Sequence, residues 1–398
     1  MMQIGIVGKT NTGKSTFFSA ATMVDAEIAN RPFVTIKPNQ GTSYVRLKCA
    51  CQEFKVTCNP VNSKCINGER LIPITLLDVA GLVPDAWQGK GLGNQFMNDL
   101  MQAKALVHVL DTSGLTDLEG NFVVEGIHEP AEDVKFLERE INFWLKSILA
   151  KNWHQISKKA SMEKTGPYQA LAQQLSGLGI NEDDVKEVMH KGNFSERPDT
   201  WNDDDLLRFA ELIRKKSKPM IIAANKMDLK NAQANLEKLR KEFGELIFVP
   251  CCAEAELALR KAEKAGIISY VPGDKDFKIL KELPEKQKEA LEFIRKNVME
   301  KFNGTGVQEL INKSAFELLN LIAIYPVQDA NKLASGKGNV LPDTFLVPKG
   351  TTAIELAGII HTDFVDKFVA AVDCRSGKKI GKDSELHHND VVKIQLHG

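Results

Sequence analysis

"QIGIVGKTNTGKSTFFSAA", residues 3–21, decides the fold. An apolar strand, Ile4 to Val7, runs into Gly8, four further residues, then Gly13-Lys14-Ser15 and a helical pattern. This is G-x-x-x-x-G-K-[ST] between a strand and a helix, the context in which the motif cradles phosphate. Small residues let backbone N–H groups turn inward on a β-phosphate, and the helix N-terminus adds partial positive charge. Lys14 is expected to bridge the β- and γ-phosphates and so to act catalytically, and Ser15 to ligate Mg²⁺. Gly8, Asn11, Thr12, Gly13 and Thr16 complete the expected phosphate loop. A glycine-rich turn that merely starts a helix would not need strand, spacing and Lys-Ser together.

Three more apolar runs extend the pattern. "IPITLLDVAG", residues 72–81, ends a strand at Asp78, where a carboxylate reaches Mg²⁺, usually through water; the N–H of Gly81 can approach a γ-phosphate because glycine has no Cβ. "PMIIAANKMDL", residues 219–229, ends a strand in Asn225-Lys226-Met227-Asp228. Guanine presents N1–H and the 2-amino group as adjacent donors, which the one carboxylate of Asp228 can accept together; adenine presents a lone pair at N1 instead. The mismatch favours GTP over ATP. "LIFVPCCAEAEL", residues 246–257, delivers Cys252 and Ala253 to the same end, with the N–H of Ala253 expected on guanine O6. Cys251 and Cys252 read as small buried residues rather than catalytic thiols.

Composition sets the frame for these motifs. The chain has 398 residues, 43% apolar and 26% charged, as a folded chain of two or three domains would. Lys+Arg and Asp+Glu both total 52, so no global field draws the protein to nucleic acid or membrane, and any RNA contact has to be local. The start carries no signal peptide pattern and no apolar run spans a bilayer, so a cytoplasmic monomer with reduced thiols is expected.

Taken together, "GKTNTGKS", "RPFVTIKPNQG", "DVAGLVPDAWQGKGLGNQF" and "NKMD" resemble the translation-factor-class GTPases, specifically the Obg family in its YchF-like archaeal and eukaryotic branch. The resemblance implies a switch I at "PFVTIKPN" with Thr35 capping Mg²⁺ and the γ-phosphate, a glycine-rich switch II, and a link to the ribosome or translation. It implies GTP hydrolysis with an apolar Leu82 where many GTPases carry glutamine, so other groups must position the water. Bacterial relatives depart from N-K-x-D and accept ATP; this chain keeps Asn225, Lys226 and Asp228. Asn11 stands where potassium-stimulated GTPases carry an asparagine, so either its amide oxygen ligates K⁺ or it is an ordinary loop residue. The last segment resembles a TGS domain, a ubiquitin-like β-grasp module.

Four of the seven cysteines, Cys49, Cys51, Cys58 and Cys65, lie close in sequence. Four thiolates match structural Zn²⁺, yet C-x-C with two longer gaps is not a standard ribbon, and buried reduced thiols are the other reading. Between residues 115 and 217 the pattern turns helical, with Val134, Leu137, Ile141, Trp144, Leu145, Ile148 and Leu149 at helical spacing. Lys146, Lys151, Lys158, Lys159 and Lys164 form either an RNA-facing patch or a solvated helix face. Lysines of the last segment are offset by aspartates, and His387-His388 lacks a third ligand and reads as surface.

The expected architecture is therefore a Ras-like P-loop α/β domain (residues 1–114 and 218–275) with a helical insertion (115–217), a helical connector (276–325) and a TGS domain (326–398). The expected function is Mg²⁺-dependent GTP hydrolysis by a molecular switch. The alternative is an ATP-hydrolysing stress or redox regulator that senses through its cysteines.

Overall fold

The computed structural model describes residues 2–22, 40–79, 100–162 and 166–397. Thr35, Gly81, Leu82 and Lys164 lie outside the described residues. The chain forms two compact units: residues 3–41 with 75–310, and residues 1–2 with 42–74 and 311–398.

The larger unit is built on parallel strands. β1 (Gln3–Val7) lies between the end of β4 (Glu69–Asp78) and β5 (Ala105–Asp111), followed by β6 (Met220–Asn225) and β7 (Ile247–Pro250). β5 and β6 are buried at every position, as strands covered on both faces must be, which explains their unbroken apolar runs. Register aligns the strand ends: Ile6 pairs with Asp78, Val7 with His108, Asp111 with Asn225, and Ala224 with Pro250. The carboxyl ends of the strands thus meet at one edge, where open α/β sheets bind ligands. α1 (Lys14–Thr22) leaves that edge and packs on α9 (Ala253–Lys264).

The insertion adds α3 (Pro130–Ala150), α4 (Trp153–Met162), α5 (Tyr168–Leu175), α6 (Glu182–Lys191) and α7 (Asp203–Ser217). The 3.6-residue stripe is its core: Val134, Leu137, Ile141, Trp144, Leu145 and Leu149 are buried, with Ile148 packed at the margin. Trp201 stacks within 5.6 Å of Trp153 and 5.0 Å of both Phe194 and Phe209. α6 and α7 open with capping boxes, Asn181 with Asp184 and Asn202 with Asp205, and α7 closes on Arg214, Lys215 and Lys216, matching its dipole at both ends. Of the basic patch, Lys146 is paired with Asp203 and Lys159 donates to Gln173. α8 (Ala232–Glu242) lies between β6 and β7, and after α9 come the short pair β8 (Ile268–Ser269) and β9 (Lys278–Ile279), then α10 (Glu285–Ile294). No helix among the described residues is long and apolar enough to cross a membrane.

The second unit carries a five-stranded sheet in the order β11 (Phe345–Pro348), β10 (Leu321–Val327), β14 (Val391–Leu396), β12 (Phe368–Asp373), β13 (Lys379–Ile380). β10 and β14 run parallel at its centre, and a helix at Ala353–Ile360, capped by Thr352 with Glu355, supplies Leu356 and Ala357 to the core. His387 and His388 are both exposed, and His388 Nδ1 accepts from the amide of Ala323 at 3.3 Å with its ring edge-on to Phe316.

Residues 42–74, which the sequence reading assigns to the nucleotide-binding domain, cluster instead with this unit. They comprise most of β2 (Gln40–Lys48), the short α2 (Ala50–Phe54), and a hairpin of β3 (Lys64–Ile66) with the start of β4. The reason is apolar: Cys49, Ala50 and Cys51 share a buried cluster with Tyr325, Val327, Leu341 and Val391.

Candidate nucleotide site

The loop after β1 is shaped by glycine and asparagine. Gly13 has φ +96°, and a Cβ there would collide with the side-chain amide of Asn225. That close approach lets Asn225 Nδ2 donate to Thr12 O at 2.9 Å while its Oδ1 accepts from the Ala253 amide at 3.0 Å. One side chain thus ties the phosphate loop to the start of α9. The Ala253 amide, expected on guanine O6, is therefore already used; the next amides of α9's first turn are the ones without helical partners.

Gly13, Thr16, Asn225, Lys226, Asp228, Cys252 and Ala253 line a single cavity of 210 Å³, together with Leu229 and Glu254. Cys252 Sγ donates to Asp228 Oδ1 at 3.1 Å. Burial, and then the Asp228 charge, push the thiol up to about 12, so it stays protonated as a donor. Lys226 adopts φ +63° and points back to Asp111 Oδ2 at 2.8 Å. Burial would raise the fully buried Asp111 carboxyl, but Lys226, Ser113 and Thr116 bond it and hold it below the usual range.

Lys14 Nζ donates to Lys9 O at 2.6 Å. Burial lowers its ammonium to about 8, an effect that Asp78 partly opposes; burial likewise raises Asp78, against the pull of Lys14. Ser15 is exposed at the first turn of α1. A hydroxyl and a carboxylate are hard oxygen donors that suit Mg²⁺.

The loop's outer side is fastened to the insertion by contacts that motif spacing does not announce. Lys9, 2% exposed, bonds Asp133 Oδ1 at 2.9 Å and Thr116 O at 2.6 Å, with His128 Nε2 at 3.2 Å. Thr10 Oγ1 donates to Glu119 O, and Asn11 Nδ2 to Gly120 O at 2.9 Å. Gly120 is required there: its φ is +87°, and a Cβ would lie 2.6 Å from Thr10 Oγ1. The sequence signal for this arrangement is the lysine itself, a second cation within the phosphate loop.

Cys49, Cys51, Cys58 and Cys65 do converge, in the other unit, with all four Sγ atoms within 4.8 Å of one another.

The chain is similar to known proteins along its whole length. A family model described as 50S ribosome-binding GTPase matches residues 3–149, one described as Obg-like GTPase YGR210-like, G4 motif-containing domain matches 223–329, and a TGS domain model matches 337–395. The chain is 50% identical over 396 residues to an uncharacterized GTP-binding protein of Methanocaldococcus jannaschii, covering 99% of each. It is 28% identical over 412 residues to the ribosome-binding ATPase YchF of Bacillus subtilis, covering 99% of this chain and 94% of that one. The crystal structure of a GTP-binding protein from Pyrococcus horikoshii superposes with a TM-score of 0.81 at 41% identity, covering 100% of both chains. A phosphate loop, a helical insertion and a TGS domain in one chain, with relatives of this identity along its whole length, make it a member of the Obg family of GTP-binding proteins, in the YchF-like branch.

Proposed function

We propose that this chain hydrolyses GTP to GDP and phosphate with Mg²⁺, as a molecular switch that works with the ribosome. The observation that carries the reading is the shared cavity: the phosphate loop, through Gly13 and Thr16, and the base-facing residues Asn225, Asp228 and Cys252 open onto the same space.

Asp228 accepts the paired N–H donors of guanine with the lone pairs that Cys252 leaves free, and adenine would set its N1 lone pair against that carboxylate. Lys14 exchanges the carbonyl of Lys9 for phosphate oxygens, whose charge restores the full ammonium. Mg²⁺, held by Ser15 and Asp78 with Thr35, supplies charge neutralisation on the β- and γ-phosphate oxygens when bound. Gly81 is the residue whose N–H would serve the γ-phosphate, and Asn11 Oδ1, the end of that amide not bonded to Gly120, would ligate K⁺. Because phosphoryl transfer has a loose transition state, these positioning and electrostatic groups serve in place of a glutamine at Leu82. The ribosome link rests on the matching family description, on the B. subtilis relative and on the TGS domain. The chain acts as a cytoplasmic monomer, with its insertion and TGS domain toward RNA.

The test is nucleotide competition followed by single-turnover hydrolysis. We expect equimolar ATP not to displace GTP, turnover to vanish with EDTA, and ribosomes to accelerate it. Equal displacement by ATP would favour an ATPase like the B. subtilis relative, and binding without turnover in any condition would leave a GTP-binding scaffold.

A further inference from the structure

Cys49 and Cys51 are placed by one helical turn. Cys49 precedes α2, accepting from the amide of Gln52, and Cys51 sits in its first turn. Lys55, at φ +54°, closes the helix and turns the chain back toward Cys58. Cys65 is brought in by β3, which folds on β4 through Asn67-Gly68; both turn residues have positive φ, as a two-residue hairpin of this type requires. Cys49 Sγ and Cys58 Sγ are 3.9 Å apart, Cys51 Sγ and Cys65 Sγ 3.8 Å. Zn–S bonds of about 2.3 Å set the sulfurs of a tetrahedral tetrathiolate about 3.8 Å apart, whereas a disulfide needs about 2.05 Å.

The second observation is Arg70, directly across the hairpin from Cys65. It is fully buried, and among the described residues no carboxylate pairs with it. Its guanidinium donates to Cys49 Sγ from Nε at 3.4 Å and from Nη2 at 3.3 Å, to Ser63 Oγ at 2.9 Å and to Leu341 O at 3.2 Å, above the Tyr325 ring. A buried cation with only neutral partners carries a large desolvation penalty. Four thiolates around a divalent ion make a dianion, and N–H donors to the sulfur are the usual outer partners of such a complex.

We propose that Cys49, Cys51, Cys58 and Cys65 bind one Zn²⁺ as a closed tetrathiolate, that Arg70 is its buried counter-charge, and that the metal fastens this hairpin to the TGS-bearing end of the chain. On binding, four thiols release their protons to solvent and four Zn–S bonds form; no electron is transferred. A closed tetrathiolate with no open position suits structural zinc, and elemental analysis separates it from iron, which accepts the same four thiolates. The fastening follows from what surrounds the site. Phe54, Val56, Tyr325, Leu341 and Val391 enclose it, Asn59 exchanges backbone and side-chain bonds with Val340, and Arg375 clamps Glu53 at 2.6 and 2.7 Å.

The full-length chain, purified under reducing conditions without chelator, is expected to contain one zinc per chain by elemental analysis. Replacement by Co²⁺ is expected to give the visible ligand-field and sulfur charge-transfer bands of a tetrahedral tetrathiolate. Arg70→Met is expected to weaken zinc, measured against a competing chelator, by about 10- to 100-fold, and Arg70→Lys to recover part of that loss. Removing zinc is expected to speed tryptic cleavage after Lys55 and Lys64. Iron in place of zinc, no metal after reconstitution with Zn²⁺, or four thiols found as two disulfides would overturn the metal assignment. Unchanged zinc affinity in Arg70→Met would overturn the role of Arg70. None of these readouts depends on nucleotide hydrolysis, so the site stands or falls apart from the GTPase reading.

Discussion

Cys252 Sγ donates to Asp228 Oδ1 at 3.1 Å, so a thiol orients the carboxylate proposed to read the base. Its protonation near neutral pH is secured by burial and by Asp228 itself. Cys252→Ala should free Asp228 to rotate and weaken GDP binding by about 3- to 10-fold, the worth of one modest hydrogen bond. Cys252→Ser, which restores a shorter and stronger donor, should bind at least as well as the native chain. Titration with a fluorescent GDP analogue reads both; equal affinities in all three proteins would show that Asp228 needs no support.

Lys9 and Asp133 form an ion pair at 2.8 Å with side chains 1% and 2% exposed, joining the phosphate loop to α3. Removing one partner leaves the other charge buried, so Asp133→Asn should destabilise the protein by about 3 kcal/mol. The double replacement Lys9→Met with Asp133→Leu should recover much of that loss, since apolar residues of similar volume need no counter-charge. Urea unfolding followed by tryptophan fluorescence reads the difference. A double variant as unstable as the single one would show that the bonds of Lys9 to Thr116 and His128, not the charge pair, hold the loop.

Lys9 also marks the limit of what residue order discloses. Gly13, Lys14, Asn225 and Asp228 stand out in the sequence because the groups proposed to bind phosphate and guanine must recur at fixed spacing after a strand. The insertion's apolar stripe is legible for a similar reason, since Leu137, Ile141 and Leu145 must share one helix face to be buried. Nothing local ties Lys9 to Asp133, or the Ala253 amide to Asn225, because those pairings exist only once separate elements meet. The cysteine hairpin shows the same division. Its spacing left zinc and free thiols both open, and its placement beside Tyr325 and Leu341 depends on segments more than two hundred residues away.

His108 offers a test of buried electrostatics. It lies on β5, 1% exposed, with no partner for Nδ1 among the described residues, and burial lowers its imidazole to about 4; Asp133 opposes that shift and Lys9 and Lys14 add to it. The unfolded chain takes up a proton as pH falls through about 6.5, while the folded chain does not until about 4. Stability should therefore be independent of this group above pH 6.5 and fall between about 6.5 and 4, by roughly 3 kcal/mol in all. His108→Gln should flatten that limb whatever it does to stability at pH 7. An unchanged acid limb in the variant would assign the loss to other groups.

Asn11 tests the proposed cation. The residue has φ +60°, a left-handed conformation that asparagine tolerates and glycine adopts freely, so alanine would confuse backbone strain with loss of the amide. Asn11→Gly keeps the backbone accessible and removes both the bond to Gly120 and the oxygen proposed for K⁺. If K⁺ neutralises charge developing between the α- and γ-phosphates, the native chain should hydrolyse GTP at least several-fold faster in KCl than in NaCl of equal strength, because Na⁺ is too small to span the same oxygens. The glycine variant should lose that difference while binding GDP within about 3-fold of the native chain, since ground-state contacts to the phosphates come mainly from the loop amides and Lys14. Equal native rates in the two salts would remove the cation. A salt difference that survives in Asn11→Gly would keep it but assign its ligands elsewhere in the loop.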